Sequence, residues 1–205
     1  MTVQINYLKG IPKKILSNLI IFVDEKFNIS GLKKHISSNE FLYISDLLKS
    51  NDLKKNILTF EINSKKTIFL ISIKKNIKTS EIENLGAKFH GYINYEKTND
   101  YFVNSDTVNG KIKDFVNNFL HGIKLKSYDF NIYKSKKDRK KIIVNVFGGK
   151  DKIFNQNQLR FKALEEGTFF ARDLVSEPGN VLHPDEYAKR INFLKKYGLK
   201  INIYD

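Results

Sequence analysis

An α/β fold, with helices layered on a sheet, is predicted from three observations. Short apolar runs with strand patterning alternate with amphipathic helical segments over residues 1–150. Helical spacing without proline then runs from Asn155 to Ser176. Hydrophobic residues make up 41% of the 205, with 16 Phe and 10 Tyr, enough to fill a sizeable core. Alternation of this kind favours helices covering a sheet.

The elements follow in order. Val3–Leu8 alternates and Asn18–Val23 is apolar, so each is predicted as a strand. Phe41–Leu48 sets Phe41, Ile44, Leu47 and Leu48 on one helical face. Ile57–Ile62 and Thr67–Ile73 are strands split by the polar turn Asn63–Lys66. Ser80-Glu81-Ile82-Glu83 fits a capping box opening a helix to about Tyr95. A further helix is predicted from Val108 to His121, with Gly122 as its stop. Lys141–Phe147 is a buried strand closed by Gly148-Gly149. The stretch Asn155–Ser176, about six turns long, reads as a spine between two domains, with Leu159, Ala163, Phe170, Leu174 and Val175 at helical spacing. Glu177-Pro178-Gly179-Asn180 breaks it; Pro184 with Asp185 and Glu186 opens another helix that Gly198 ends, and Lys200–Tyr204 alternates as a strand. One helix and one strand cannot make an independent sheet, so this last segment is expected to begin a domain that is otherwise missing.

Composition excludes several functions. Cysteine is absent, which removes disulfides, thiolate metal sites and a cysteine nucleophile. No apolar run approaches the roughly 18–20 residues of a membrane span, and Met1–Gly10 lacks the pattern of a secretory signal. A cytoplasmic protein is the expectation. The net charge is +14, and residues 1–150 carry 27 Lys+Arg against 14 Asp+Glu, while residues 151–205 carry 9 against 8. This asymmetry supports a boundary near residue 150. Only four of the 36 basic residues are Arg, which favours solvated lysines over a bidentate reader of phosphates or bases.

No residue emerges as catalytic, metal-binding or ligand-binding. His35, His90, His121 and His183 fall in separate elements without metal spacing and are expected at surfaces or boundaries. Phe147-Gly148-Gly149-Lys150 lacks a phosphate-loop pattern and reads as a turn. Glu165-Glu166 point about 100° apart on a helix and read as a solvated face. Asp173 and Glu177 share a helix face without a further acid nearby, and His183 sits where a helix cap belongs. Lys136-Lys137 with Arg139-Lys140-Lys141 reads as an exposed basic loop.

One stretch is more specific. Ala171-Arg172-Asp173-Leu174-Val175-Ser176-Glu177-Pro178-Gly179-Asn180-Val181-Leu182-His183-Pro184 resembles the "ARDLVNEPxNVLxP" segment of leucyl (cytosol) aminopeptidases, Ser176 departing from the usual Asn. Phe119–Lys136 resembles the same family's "EGxxLGxYxFxxYKSK", in the same order and joined by the same long helix. Phe69-Leu70-Ile71-Ser72-Ile73 departs from the family's glycine-containing "VGLG" strand end.

The resemblance implies a macro-domain-like N-terminal domain with a mixed sheet flanked by helices (residues 1–150), a connecting helix (151–177) and the first elements of a truncated α/β peptidase domain (178–205). It implies a metallo-aminopeptidase that releases N-terminal amino acids from peptides with two divalent ions, manganese or zinc, and assembles as a hexamer. The family's metal motifs are not in these residues, so this chain alone is expected to bind no metal and to be inactive. The alternatives are a non-catalytic basic module binding nucleic acid weakly, or a regulator of the assembly of a full-length aminopeptidase. ADP-ribose binding, which a macro-like sheet would suggest, is discounted because the Gly-rich phosphate loops are absent.

Overall fold

The computed structural model describes residues 2–12, 15–50, 53–93, 99–108, 112, 114–135, 141–148 and 154–204. Among these described residues, six strands form one sheet: β1 (Thr2–Tyr7), β2 (Asn18–Asp24), β3 (Ile57–Asn63), β4 (Lys66–Ile73), β5 (Asp100–Asn104) and β6 (Lys141–Phe147). Their order is β1-β6-β5-β2-β4-β3, with every pairing parallel except the β3–β4 hairpin, so the sheet is mixed. Asn63 closes that hairpin, its side-chain oxygen accepting from the N–H groups of Lys65 and Lys66. Five α-helices among the described residues accompany the sheet: α1 (Ser38–Ser50), α2 (Thr79–His90), α3 (Phe115–Lys126), α4 (Phe154–Ser176) and α5 (Pro184–Asn192).

Both faces of the central strands are covered, which is why β2 is an unbroken apolar run rather than an alternating one. On one face Ile20, Phe22, Ile71, Val103 and Val144 meet Phe89 of α2 and Phe119 of α3. Phe22 sits edge-on to Phe115 and Phe119, with ring centroids 5.0 and 5.3 Å apart. On the other face Leu19, Ile21 and Leu70 meet Ile44 of α1 and Phe27 and Leu32 of the preceding loop. At the rim of that core Lys66 Nζ pairs with Glu40 Oε1 at 2.6 Å, with side chains 11% and 15% exposed. Burial pushes the Glu40 carboxyl up, but bonds from Lys66 and Ser37 outweigh it and hold the group below its ordinary range.

Four sequence expectations need correction. Strand β5 was not foreseen, yet it lies between β2 and β6, with Tyr101 and Val103 buried. Helix α3 covers residues 115–126 rather than 108–121, and Gly122 lies inside it. A Cβ on Gly122 would stand 1.9 Å from the Glu83 carbonyl oxygen, and one on Gly86 would stand 1.9 Å from that of Phe119. These glycines let α2 and α3 cross backbone to backbone, so a contact residue was taken for a stop. Helix α2 opens at Lys78, whose N–H donates to the Glu81 carboxylate at 2.9 Å, two residues before the expected cap. Finally, residues 201–204 form no strand.

Helix α4 bears out the long helix, but only part of the expected stripe is packed: Phe170 and Leu174 are partly buried, while Ala163 is exposed. Leu159 and Val175 are 77% and 87% exposed. Phe161, Glu165, Phe169 and Arg172 are partly buried as well, and the helix lies along α3. Pro184 stands at the start of α5 as expected, and a 3₁₀ turn Phe193–Tyr197 ends at Gly198 with φ +83°.

Candidate functional site

The two stretches that resemble the aminopeptidases meet in space as a clasp. The segment after α3 carries Tyr128 and Tyr133; the end of α4 carries Arg172, Asp173 and, one residue beyond, Glu177. Tyr128 Oη donates to Asp173 Oδ1 at 2.7 Å. Tyr133 Oη donates to Glu177 Oε2 in a short bond, and Arg190 Nη1 of α5 donates to Glu177 Oε1 at 2.9 Å. Arg190 also bonds Glu186 through Nε at 3.0 Å. Arg172 donates to the Leu125 carbonyl at 2.5 Å, satisfying an acceptor near the C-terminus of α3, with its guanidinium over the Tyr128 ring at 5.4 Å. Glu177, its side chain 3% exposed, thus ties together the post-α3 segment, α4 and α5.

The electrostatics match a tie rather than a reactive centre. The bonds from Tyr133 and Arg190 hold the Glu177 carboxyl below its ordinary range, and the same bonds raise Tyr133 and Arg190. Burial and the bond to Asp173 raise the Tyr128 phenol. Each group is thereby fixed in its ordinary charge state, the opposite of an acid or base poised to exchange a proton near neutrality. The arrangement does not fit a pair of divalent ions either. Asp173 and Glu177 are already engaged, and no group of three or more His, Asp or Glu that could hold a metal occurs among the described residues.

A second place where such a fold holds ligands is the crevice beyond the strand ends where the connection order reverses, here between β2 and β5. A 3₁₀ turn, Ser105–Thr107, fills it. Thr107 Oγ1 accepts from the Phe22 N–H at 3.0 Å and donates to the Asn104 carbonyl at 2.7 Å. Ser105 Oγ donates to the Phe147 carbonyl at 3.1 Å, and a Cβ on Gly148 would stand 2.0 Å from that Oγ. Gly148 therefore closes the strand as expected and admits Ser105; Gly149 and Lys150 lie outside the described residues, as do residues 136–140 of the basic loop.

The histidines divide. His121 is 8% exposed and so lies in the interior, not at the surface or boundary expected of it. Its Nδ1 stands 3.0 Å from Glu83 Oε1 across the α2–α3 crossing. His183 occupies the N-cap position of α5, but its side chain makes no capping bond. His90 is held below its ordinary range by burial and by Lys126, and His35 lines a cavity beside the start of α1 and belongs to no metal-holding group among the described residues. Glu165, expected on a solvated face with Glu166, instead pairs with Lys124 at 2.8 Å, its side chain 20% exposed; Glu166 does face solvent. Sequence reasoning did not find Tyr128, Tyr133 or Arg190, whose only signal was their place inside or near the two motif stretches.

These features define an α/β sheet protein with a helical arm tied on by a clasp. No protein-family model matches the chain. The probable cytosol aminopeptidase of Clostridium perfringens is 31% identical over 149 residues, covering 67% of this chain and 30% of that protein. The probable cytosol aminopeptidase of Methylorubrum populi is 36% identical over 99 residues, covering 47% of this chain and 20% of its own length. Among solved structures, a tomato leucine aminopeptidase variant superposes with a TM-score of 0.73 at 14% identity, over 96% of this chain and 43% of that one. At the level of the family, the chain is a relative of the cytosol (leucyl) aminopeptidases. It spans between 18% and 30% of the length of the curated relatives it matches. No helix among the described residues is long and apolar enough to cross a membrane.

Proposed function

We propose that this chain works as the non-catalytic N-terminal part of a leucyl aminopeptidase, a two-metal exopeptidase releasing N-terminal amino acids from peptides. The clasp carries the reading: the two stretches that resemble the family are the ones that bond across from the post-α3 segment to α4 and α5. Residues 1–150 serve as a macro-like α/β domain, 151–177 as a connecting helix, and 178–205 as the beginning of the peptidase part. Peptide substrates, two manganese or zinc ions and hexameric assembly belong to the full-length enzyme, in the cytoplasm. Divalent ions would supply a polarised carbonyl and an activated water; no group of three or more His, Asp or Glu that could hold them occurs among the described residues.

The test is a leucine-anilide assay of the purified chain with manganese and zinc titrated in turn. The expected result is no turnover at any metal concentration. Metal-dependent turnover that tracks the purified chain would overturn the reading. Co-elution of the chain with a full-length aminopeptidase would instead favour a role in assembly.

The concentration of positive charge in residues 1–150 motivates a second reading, a basic module for nucleic acid. With Lys rather than Arg supplying the charge, binding to duplex DNA is expected to be weak, indifferent to sequence and lost at moderate salt. Tight, sequence-selective binding at physiological salt would promote that reading over the first.

A further inference from the structure

The two edges of the sheet are guarded differently. At one edge, β3 carries the charged Glu61 and a register shift between Glu61 and Asn63, and Tyr43 Oη donates to the Glu61 carbonyl. Charge and irregularity of this kind deter a further strand. At the other edge, β1 (Thr-Val-Gln-Ile-Asn-Tyr) has no charge and no proline, and its register with β6 is regular over its whole length. The Leu8 N–H donates to the Val146 carbonyl at 2.8 Å. Main-chain groups of a strand face its two neighbours alternately, so Gln4, Asn6 and Leu8 turn toward β6. Val3 and Ile5 therefore turn their N–H and C=O groups outward, where no partner stands among the described residues.

Beside that edge lies a groove of about 400 Å³ between β1, α3 and α4, with Ile5, Leu120 and Phe161 as its apolar lining. This volume falls within the roughly 300–1,000 Å³ of pockets that hold small ligands. Its charges are matched within the wall, Lys124 with Glu165 at 2.8 Å and Lys162 with Glu166 at 3.8 Å, so an uncharged occupant fits better than an ion. His121 lines the groove, and its Nε2 is buried with no hydrogen-bond partner among the described residues, a missing contact that folded proteins rarely tolerate. Phe161, whose ring centroid is 5.4 Å from that of His121, is the side chain that must turn to open a path to it.

We propose that this groove accepts an extended, uncharged peptide segment as an added strand on β1. Its main chain pairs with Val3 and Ile5, its apolar side chains pack on Leu120 and Phe161, and a Ser or Thr hydroxyl bonds His121 Nε2. A hydroxyl both donates and accepts, so it satisfies that nitrogen in either protonation state. This is strand addition at a sheet edge, in which main-chain bonds supply affinity and side-chain pockets supply selectivity.

The probe is an acetylated Val-Ser-Thr-Ser-Val amide, whose first, third and fifth residues put two apolar side chains and one hydroxyl on the same face, compared with two versions N-methylated at alternate amides, one for each register. Amide exchange of the wild-type chain is followed by NMR. The unmodified peptide is expected to slow exchange at Val3 and Ile5 by about tenfold or more at saturation, and to shift the His121 ring nitrogen. At least one N-methylated version, unable to pair along its blocked edge, should fail to do so. A Phe161→Lys variant that retains the wild-type circular dichroism should lose the binding; the peptide pair decides the matter on the wild-type chain if that variant does not fold. Absence of protection at Val3 and Ile5, equal binding by both N-methylated peptides, or protection centred on β3 would each overturn the proposal.

Discussion

The α2–α3 pair and the α4–α5 arm are both helical, but they are held in different ways. Ile82, Leu85 and Phe89 of α2 and Phe115, Val116, Phe119, Leu120 and Ile123 of α3 are buried against the sheet. Among the described residues from 157 to 204, none is buried as a whole, and the Glu177 side chain, 3% exposed, is covered by its polar partners. The first pair is fixed by apolar area and by glycines that bring two backbones together. The arm rests on a few directional bonds between phenols, carboxylates and guanidinium groups. A family motif can therefore be conspicuous in sequence while its residues perform attachment, because a small number of hydrogen bonds demands particular residue types, whereas an apolar core accepts many.

The sharpest way to break this comparison is to cut into the core. Phe119→Ala is expected to lower the unfolding free energy by about 3–5 kcal/mol, read from urea denaturation. A loss comparable with that of an exposed substitution would show that α3 is not the keystone of the sheet's covered face.

A smaller effect is expected from acid. The folded-state pKa of Glu40 is lowered, so its pairing with Lys66 stabilises the fold above the unfolded value of about 4.3 and is lost as pH falls through the lowered folded value. Lys66→Met should flatten that part of the acid limb in urea midpoints measured from neutral pH downward. An unchanged acid limb would mean that the buried pair contributes nothing that depends on pH.

The smallest effects belong to the outer side of the arm. Leu159→Ser and Val175→Ser, at positions 77% and 87% exposed, should change stability by no more than about 0.5 kcal/mol. A larger loss in either would mean that α4 is covered in solution by something that buries its apolar face.

Periodicity revealed the elements that depend on local pattern. The run Asn18–Val23, the hairpin around Asn63–Lys66 and the long α4 all follow from spacing alone. What escaped depends on neighbours distant in the chain. β5 is only five residues long and is a strand because β2 and β6 flank it. Gly122 looks like a helix stop until α2 lies across it. Residues 201–204 alternate like a strand, yet no described strand pairs with them. The clasp was legible only as a resemblance: Tyr128 and Asp173 lie 45 residues apart and Tyr133 and Glu177 lie 44 apart, and nothing in the spacing announces that phenol and carboxylate will meet.

The direct test of the clasp is native-state hydrogen exchange followed by mass spectrometry, comparing the wild-type chain with Tyr133→Phe and Glu177→Gln. If the motif residues hold the arm to the sheet protein, amides across residues 177–197 will exchange faster in both variants, while those of residues 82–89 and 115–123 keep their wild-type rates. Unchanged exchange in the arm, or acceleration spread evenly over the core, would contradict the account.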